Sequence, residues 1–94
     1  GLGYALYENM ARKGNGWVDS FTEYLIPTAV DLPENYQNVI LEVPEASGPY
    51  GAKGIGEIPL VPTAPAVANA LYDAVKIRVT DLPITPEKVL GMDS

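Results

Sequence analysis

The residues best suited to chemistry lie in one stretch, Gly48-Pro49-Tyr50-Gly51-Ala52-Lys53-Gly54-Ile55-Gly56-Glu57. Glycines at 51, 54 and 56 let a backbone come close to a ligand and adopt positive φ, and they lead into a single carboxylate. This is not a phosphate-binding Walker loop, because Lys53 is followed by Gly54 rather than by Ser or Thr. Nor is it the dinucleotide fingerprint: the glycine order is reversed, and Pro59 and Pro62 prevent an immediate helix. Glu57 precedes an apolar run, Ile58-Pro59-Leu60-Val61-Pro62. A carboxylate drawn into such surroundings loses hydration, which favours its neutral form and suits it to accept a proton near neutral pH. The alternative is a glutamate that binds loop amides or is solvated. Lys53 could face a phosphate or an acidic substrate group, or stand in solvent. Trp17, Phe21 and Tyr24 could form an aromatic pocket, although aromatics at this density more often pack. Glu42 and Glu45 have no paired-carboxylate spacing and read as surface groups.

Composition removes several other chemistries. There is no Cys among the 94 residues, so this chain supplies no disulfide, thiolate nucleophile or iron–sulfur ligand. There is no His, which removes the usual zinc sites and His-based triads. A net charge of −6 repels phosphate backbones and argues against nucleic-acid binding. No apolar run approaches the roughly 20 residues of a membrane span, and no signal peptide is evident, so a soluble, cytoplasmic protein is expected. The opening on Gly1, inside an amphipathic pattern without a capping residue, suggests a cut within a longer protein.

Elements must position the glycine-rich stretch, and the sequence implies a coarse order for them. Leu2, Ala5, Leu6 and Met10 at helical spacing predict a helix from Leu2 to about Lys13, stopped by Gly14-Asn15-Gly16. Trp17 to Tyr36, with Pro27 and Pro33 and no sustained period, predicts an extended loop with room for one short strand. The β-branched run Asn38 to Val43, stopped by Pro44, predicts a strand with Val39, Leu41 and Val43 on one face. Thr63 is placed to cap a helix carrying Val67, Leu71, Ala74 and Val75 on one stripe. Ile77 to Thr80 predicts a second short strand, and Thr85-Pro86-Glu87 the cap and first turn of a brief helix ending near Gly91. The expected class is α+β: one small domain over 1–94, with two or three helices, a few short strands and long loops. Nine Gly and nine Pro imply a compact fold rich in loop, and a chain of this size has only a marginal core of its own.

The run GPYGAKGIGEIPLVPTAPAVANALYDAVKIRVTDLPITPEKVL resembles the C-terminal end of the large, molybdopterin-binding subunit of the xanthine dehydrogenase and aldehyde oxidase family. GLGYALYE and FTEYLIPTAVDLP resemble the segments preceding that end, so the resemblance covers nearly the whole chain. It implies that Glu57 is the active-site base, taking a proton from a water-derived oxygen as that oxygen attacks an electron-poor carbon. It implies too that Ala52, Lys53, Gly54, Ile55 and Gly56 approach the pterin of a molybdenum–molybdopterin cofactor, with no metal ligand from this chain. Iron–sulfur clusters and FAD would sit on partner subunits or domains, and the remainder of the molybdenum-binding subunit would complete the pocket for a small-molecule substrate. The family's glutamine before the opening Gly-Leu-Gly would fall one position before Gly1, so the fragment alone is expected to be inactive. A purine or related heterocycle is the first expectation for the substrate, with aldehydes and nicotinate-like rings as alternatives. A reading of another class remains open at this point, a free-standing, non-catalytic interaction domain whose Gly/Pro-rich loop binds a partner.

Overall fold

A computed structural model describes residues 1–91. Its elements are mixed α and β: helix α1 (Leu2–Leu6), a hairpin of β1 (Arg12–Lys13) and β2 (Gly16–Trp17), helix α2 (Thr63–Val75) and helix α3 (Pro86–Val89). Short 3-10 turns occupy Ala29–Asp31, Pro49–Gly51 and Ile58–Leu60. The α+β class therefore holds, with β structure confined to one antiparallel pair among the described residues.

Helix α2 forms where the apolar spacing predicts. Its half-buried stripe is Ala64, Val67, Ala68 and Leu71, while Ala74 and Val75 are exposed. Thr63 is not its cap: Pro62 occupies that position, and the Thr63 hydroxyl instead donates to the Pro59 carbonyl at 3.2 Å. The helix ends at Lys76, whose φ of 61° puts a left-handed residue in the terminating position. Helix α3 matches its expected cap more closely. Thr85 Oγ1 accepts from the Lys88 amide at 3.4 Å, Pro86 fills the first turn, and Gly91 follows with φ +67°.

Helix α1 stops seven residues short of expectation. The Glu8 amide donates back to the Gly3 carbonyl at 2.8 Å, and Glu8 turns to accept from the Tyr24 hydroxyl at 2.6 Å. The segment Gly14-Asn15 then serves as a hairpin turn rather than a helix stop, with Gly14 at φ +58° and Arg12 paired to Trp17. Arg12 stacks on the Trp17 ring, 5.4 Å from its centroid, and Lys13 pairs with Glu23. Local pairing across a glycine turn thus displaces the helical continuation that Met10 alone would have supported.

Neither of the two longer expected strands forms. Asn38–Val43 and Ile77–Thr80 lie outside any ladder, because the described residues offer no neighbouring strand with which to exchange hydrogen bonds.

The packed centre lies where α1 meets α2 and the segment before α3. Ala5 is fully buried, Ile84 is 6% exposed, and the Ile84 amide donates to the Ala5 carbonyl at 2.7 Å. Gly3 is required at the edge of this contact, since a Cβ there would meet Pro27 Cδ at 2.8 Å. Ala5 and Ile84 are the only buried apolar side chains of the described core besides Pro83. The expected compactness is absent. The radius of gyration is 17.5 Å, against about 12 Å for a compact domain of this length. The accessible surface is 8172 Å², against roughly 5,300 Å² for a folded monomer of this mass. Apolar side chains that composition offers to a core, among them Phe21, Val30, Ile40, Leu41 and Ile55, face outward instead.

Candidate active-site loop

The glycine-rich stretch divides into two parts with different local chemistry. The first, from Glu45 to Ala52, is tied to itself. The Glu45 amide donates to the Gly51 carbonyl at 3.0 Å, the Gly48 amide to Glu45 at 3.1 Å and the Ala52 amide to Pro49 at 3.0 Å. Glu45 also accepts from the Ser47 amide at 3.1 Å and the Ser47 hydroxyl at 2.9 Å, and these bonds, the amide first, hold its carboxyl below the usual range. Glu45 is thus a loop-bracing residue, beyond the surface role its spacing suggests. Gly48 is needed here because a Cβ would run into the Ala52 carbonyl, and Gly51 because its φ is +79° with Pro44 Cβ only 2.9 Å from a Cβ built there. Between them Tyr50 adopts φ 56° and is fully exposed.

The second part, Lys53 to Gly56, has the opposite character. Among the described residues none of its backbone amides or carbonyls finds a hydrogen-bond partner. A Cβ added at Gly54 or at Gly56 would meet nothing within 4 Å, and neither glycine sits at positive φ. These two glycines are therefore not demanded by the fold of the chain. They leave an open face of backbone donors and acceptors, and such groups need an external partner once water is excluded. Ala52, Lys53, Ile55 and Gly56 are exposed along with Gly54, and Lys53 makes no ion pair among the described residues.

Glu57 follows directly, with its carbonyl accepting from the Leu60 amide at 2.9 Å to start the Ile58–Leu60 turn. That turn packs towards α2, which fixes where the loop leaves the helical cluster. The apolar enclosure expected around Glu57 is not supplied by the chain: the glutamate is exposed, and Ile58 and Val61 are exposed beside it. Ile55, two residues before Glu57 in sequence, is 87% exposed.

The predicted residues 52–57 thus form one continuous exposed strip. The expected aromatic pocket has only partial support: Phe21 and Tyr24 line a shallow depression with Met10 and Val18, whereas Trp17 belongs to the hairpin. The Glu8–Tyr24 bond raises the Tyr24 phenol above its ordinary range, and sequence spacing gave no signal for that pairing. Among the described residues no group of three or more His, Cys, Asp or Glu could hold a metal ion. The open amides and glycines of the strip do fit a cofactor that brings its own polar groups to a protein backbone, as a pterin with its phosphate does.

No family model matches the chain, and no solved structure matches it significantly. Curated sequences do. The xanthine dehydrogenase molybdenum-binding subunit of Escherichia coli O157:H7 is 35% identical over 92 residues, which is 95% of this chain and 12% of that protein. The chain is homologous to a segment of molybdenum-binding subunits of the xanthine dehydrogenase and aldehyde oxidoreductase type. The aldehyde oxidoreductase molybdenum-binding subunit of Escherichia coli K12 is 38% identical over 93 residues, 96% of this chain and 13% of that subunit. The gamma subunit of the 6-hydroxypseudooxynicotine dehydrogenase complex of Paenarthrobacter nicotinovorans is 36% identical over 95 residues, 97% of this chain and 12% of that protein. The chain thus spans only about an eighth of the length of these relatives. Similarity along nearly the whole chain, with so little of each relative covered, agrees with a surface too large and too apolar for a body of 94 residues.

Proposed function

We propose that this chain forms part of a molybdenum hydroxylase of the xanthine dehydrogenase type, which hydroxylates an electron-poor carbon of a purine or related heterocycle with oxygen derived from water. The observation that carries the reading is the strip from Lys53 to Gly56, whose backbone has no hydrogen-bond partner among the described residues and immediately precedes Glu57. Relatives named as molybdenum-binding subunits support the cofactor class, and one named for xanthine supports the substrate class.

In this reading Ala52, Lys53, Gly54, Ile55 and Gly56 hold the pterin side of the cofactor. Gly54 and Gly56 allow close backbone approach, and the Lys53 ammonium faces its anionic portion. The molybdenum centre, when bound, supplies the redox chemistry that no protein side chain can perform. Glu57 supplies the proton transfer. Its carboxylate takes the proton from the water-derived oxygen as that oxygen attacks the substrate carbon, then returns it to solvent. Ile55, Ile58 and Val61 would exclude water from the neighbourhood of the carboxylate once the rest of the subunit lies over them. The hydroxylated carbon loses its hydrogen as a proton, the two electrons of the broken C–H bond would go to iron–sulfur and flavin groups on partner subunits or domains, and the 94 residues alone would be inactive.

The test is isotopic. The complete subunit with its partners, incubated with xanthine in ¹⁸O-enriched water, should contain molybdenum and place the label in the hydroxylated product. Product without label, or turnover by a molybdenum-free preparation, would overturn the assignment.

A further inference from the structure

The segment Asn38–Val43 has a sequence and a conformation that disagree in an informative way. Its six residues are those of a strand, Asn-Val-Ile-Leu-Glu-Val, ended by Pro44. The chain holds them apart from any ladder, with no backbone hydrogen bond from Asn38 to Val43 among the described residues. Their side chains stand in the open: Val39 is 81% exposed, Ile40 84%, Leu41 82% and Val43 65%.

Two needs coincide here. Alternation in an extended chain puts Val39, Leu41 and Val43 on one face, which is wholly apolar, and Asn38, Ile40 and Glu42 on the other, which is mixed. The apolar face calls for a core. The unpaired amides and carbonyls along both edges call for a neighbouring strand, since burying that face would otherwise strand them away from water. A helix or a loop could cover the face but could not satisfy a ladder. The hairpin β1–β2 cannot serve, as each of its strands has two residues, against about 20 Å for a strand of six.

We propose that Asn38–Val43 is a β-strand added to the open edge of a sheet in the remainder of the same subunit, with Val39, Leu41 and Val43 packed into that sheet's core. This rests on the reading that the chain is part of a larger molybdenum-binding subunit, of which the relatives have about eight times this length. A second copy of the chain is a poorer occupant, because pairing two bodies of charge −6 opposes their association. An anionic membrane surface is disfavoured on the same ground. The consequence for the site is direct: Pro44 and Glu45 follow the strand at once, so docking it anchors the loop that Glu45 braces and that ends in Glu57.

Hydrogen exchange tests this on the complete subunit and on the 94-residue chain. Peptides covering 38–43 should exchange at the unprotected rate in the isolated chain and slow by on the order of 10²-fold or more in the complete subunit. Exchange equally fast in both would overturn the proposal, as would protection in the isolated chain that grows with its concentration, the mark of self-pairing. Leu41→Asp in the complete subunit should abolish that protection, while Leu41→Val should preserve it. Retained protection in Leu41→Asp would show that the face is not packed. The readout is independent of the metal: a protected strand in a subunit without molybdenum would defeat the proposed function and leave the strand standing. A molybdenum-replete, active subunit with a fast-exchanging strand would do the reverse.

Discussion

Four glycines near Glu57 separate into two classes, and alanine substitutions should expose the division. At Gly51, φ is +79° and Pro44 Cβ lies 2.9 Å from the position of a new Cβ. An alanine there incurs the left-handed penalty of about 1–2 kcal/mol, before the added contact, and so loosens the brace between Glu45 and Gly51. At Gly56, φ is unexceptional and nothing lies within 4 Å. An alanine there should leave the polypeptide as stable as before, or more stable by about 0.4–1 kcal/mol because the unfolded chain loses freedom. If the cofactor lies against this backbone, however, the methyl group pushes it away. Leaving one backbone–ligand hydrogen bond unmade costs about 1–3 kcal/mol, a loss of roughly 5- to 150-fold in cofactor affinity. The assay pairs thermal unfolding of the complete subunit, stripped of cofactor, with molybdenum content after equilibration at limiting cofactor. Gly51→Ala should lower the midpoint; Gly56→Ala should hold the midpoint and lower the metal content. A Gly56→Ala subunit with wild-type molybdenum content and turnover would refute the reasoning, for it would leave the open strip without an occupant.

Three further outcomes are expected. The isolated 94-residue chain should bind no molybdenum cofactor by metal analysis, because one strip of backbone offers too few contacts to offset the entropy lost on association; stoichiometric metal would contradict this. In the same chain, amides between Trp17 and Tyr36 should exchange faster than those of Thr63–Val75, since that segment exposes Phe21, Leu25, Ile26 and Val30, and equal protection would count against it. Asp31 accepts from the Thr28 amide at 2.7 Å and hydroxyl at 2.8 Å, and these bonds, the amide foremost, lower its proton affinity. A depressed folded value means that its contribution to the Thr28–Asp31 turn is present above the ordinary carboxylate range and is lost as pH falls through that folded value. The Thr28 amide resonance should follow this titration, and Asp31→Asn should remove it.

Legibility in the sequence followed the range of the interactions concerned. Helix α2 and the cap at Thr85 depend on residues within a few positions of one another, so periodicity and capping chemistry placed them well. Helix α1 was read too long because the Glu8–Tyr24 bond and the pairing of Arg12 with Trp17 compete with it, and neither is visible in a helical repeat. The strand at Asn38–Val43 was legible as a propensity only, since a strand exists when a neighbour completes its ladder and no such neighbour lies among the described residues. The same limit applies to the site. The order of glycines and the carboxylate pointed to a ligand-facing loop, and the geometry adds which glycines the fold requires, Gly48 and Gly51, and which it leaves open, Gly54 and Gly56. The apolar run beside Glu57 was legible, but Ile55, Ile58 and Val61 are all exposed and do not enclose the carboxylate.

The central claim, that Glu57 is the base of a molybdenum hydroxylase, is tested most directly by turnover of Glu57→Gln in the complete, molybdenum-loaded enzyme. Glutamine keeps the shape while removing the proton acceptor. Since general-base catalysis contributes about 10²- to 10⁴-fold, kcat should fall by at least that range with molybdenum content unchanged. A Glu57→Gln enzyme with full molybdenum loading and wild-type kcat on its best substrate would contradict the account and leave Glu57 a solvated loop residue.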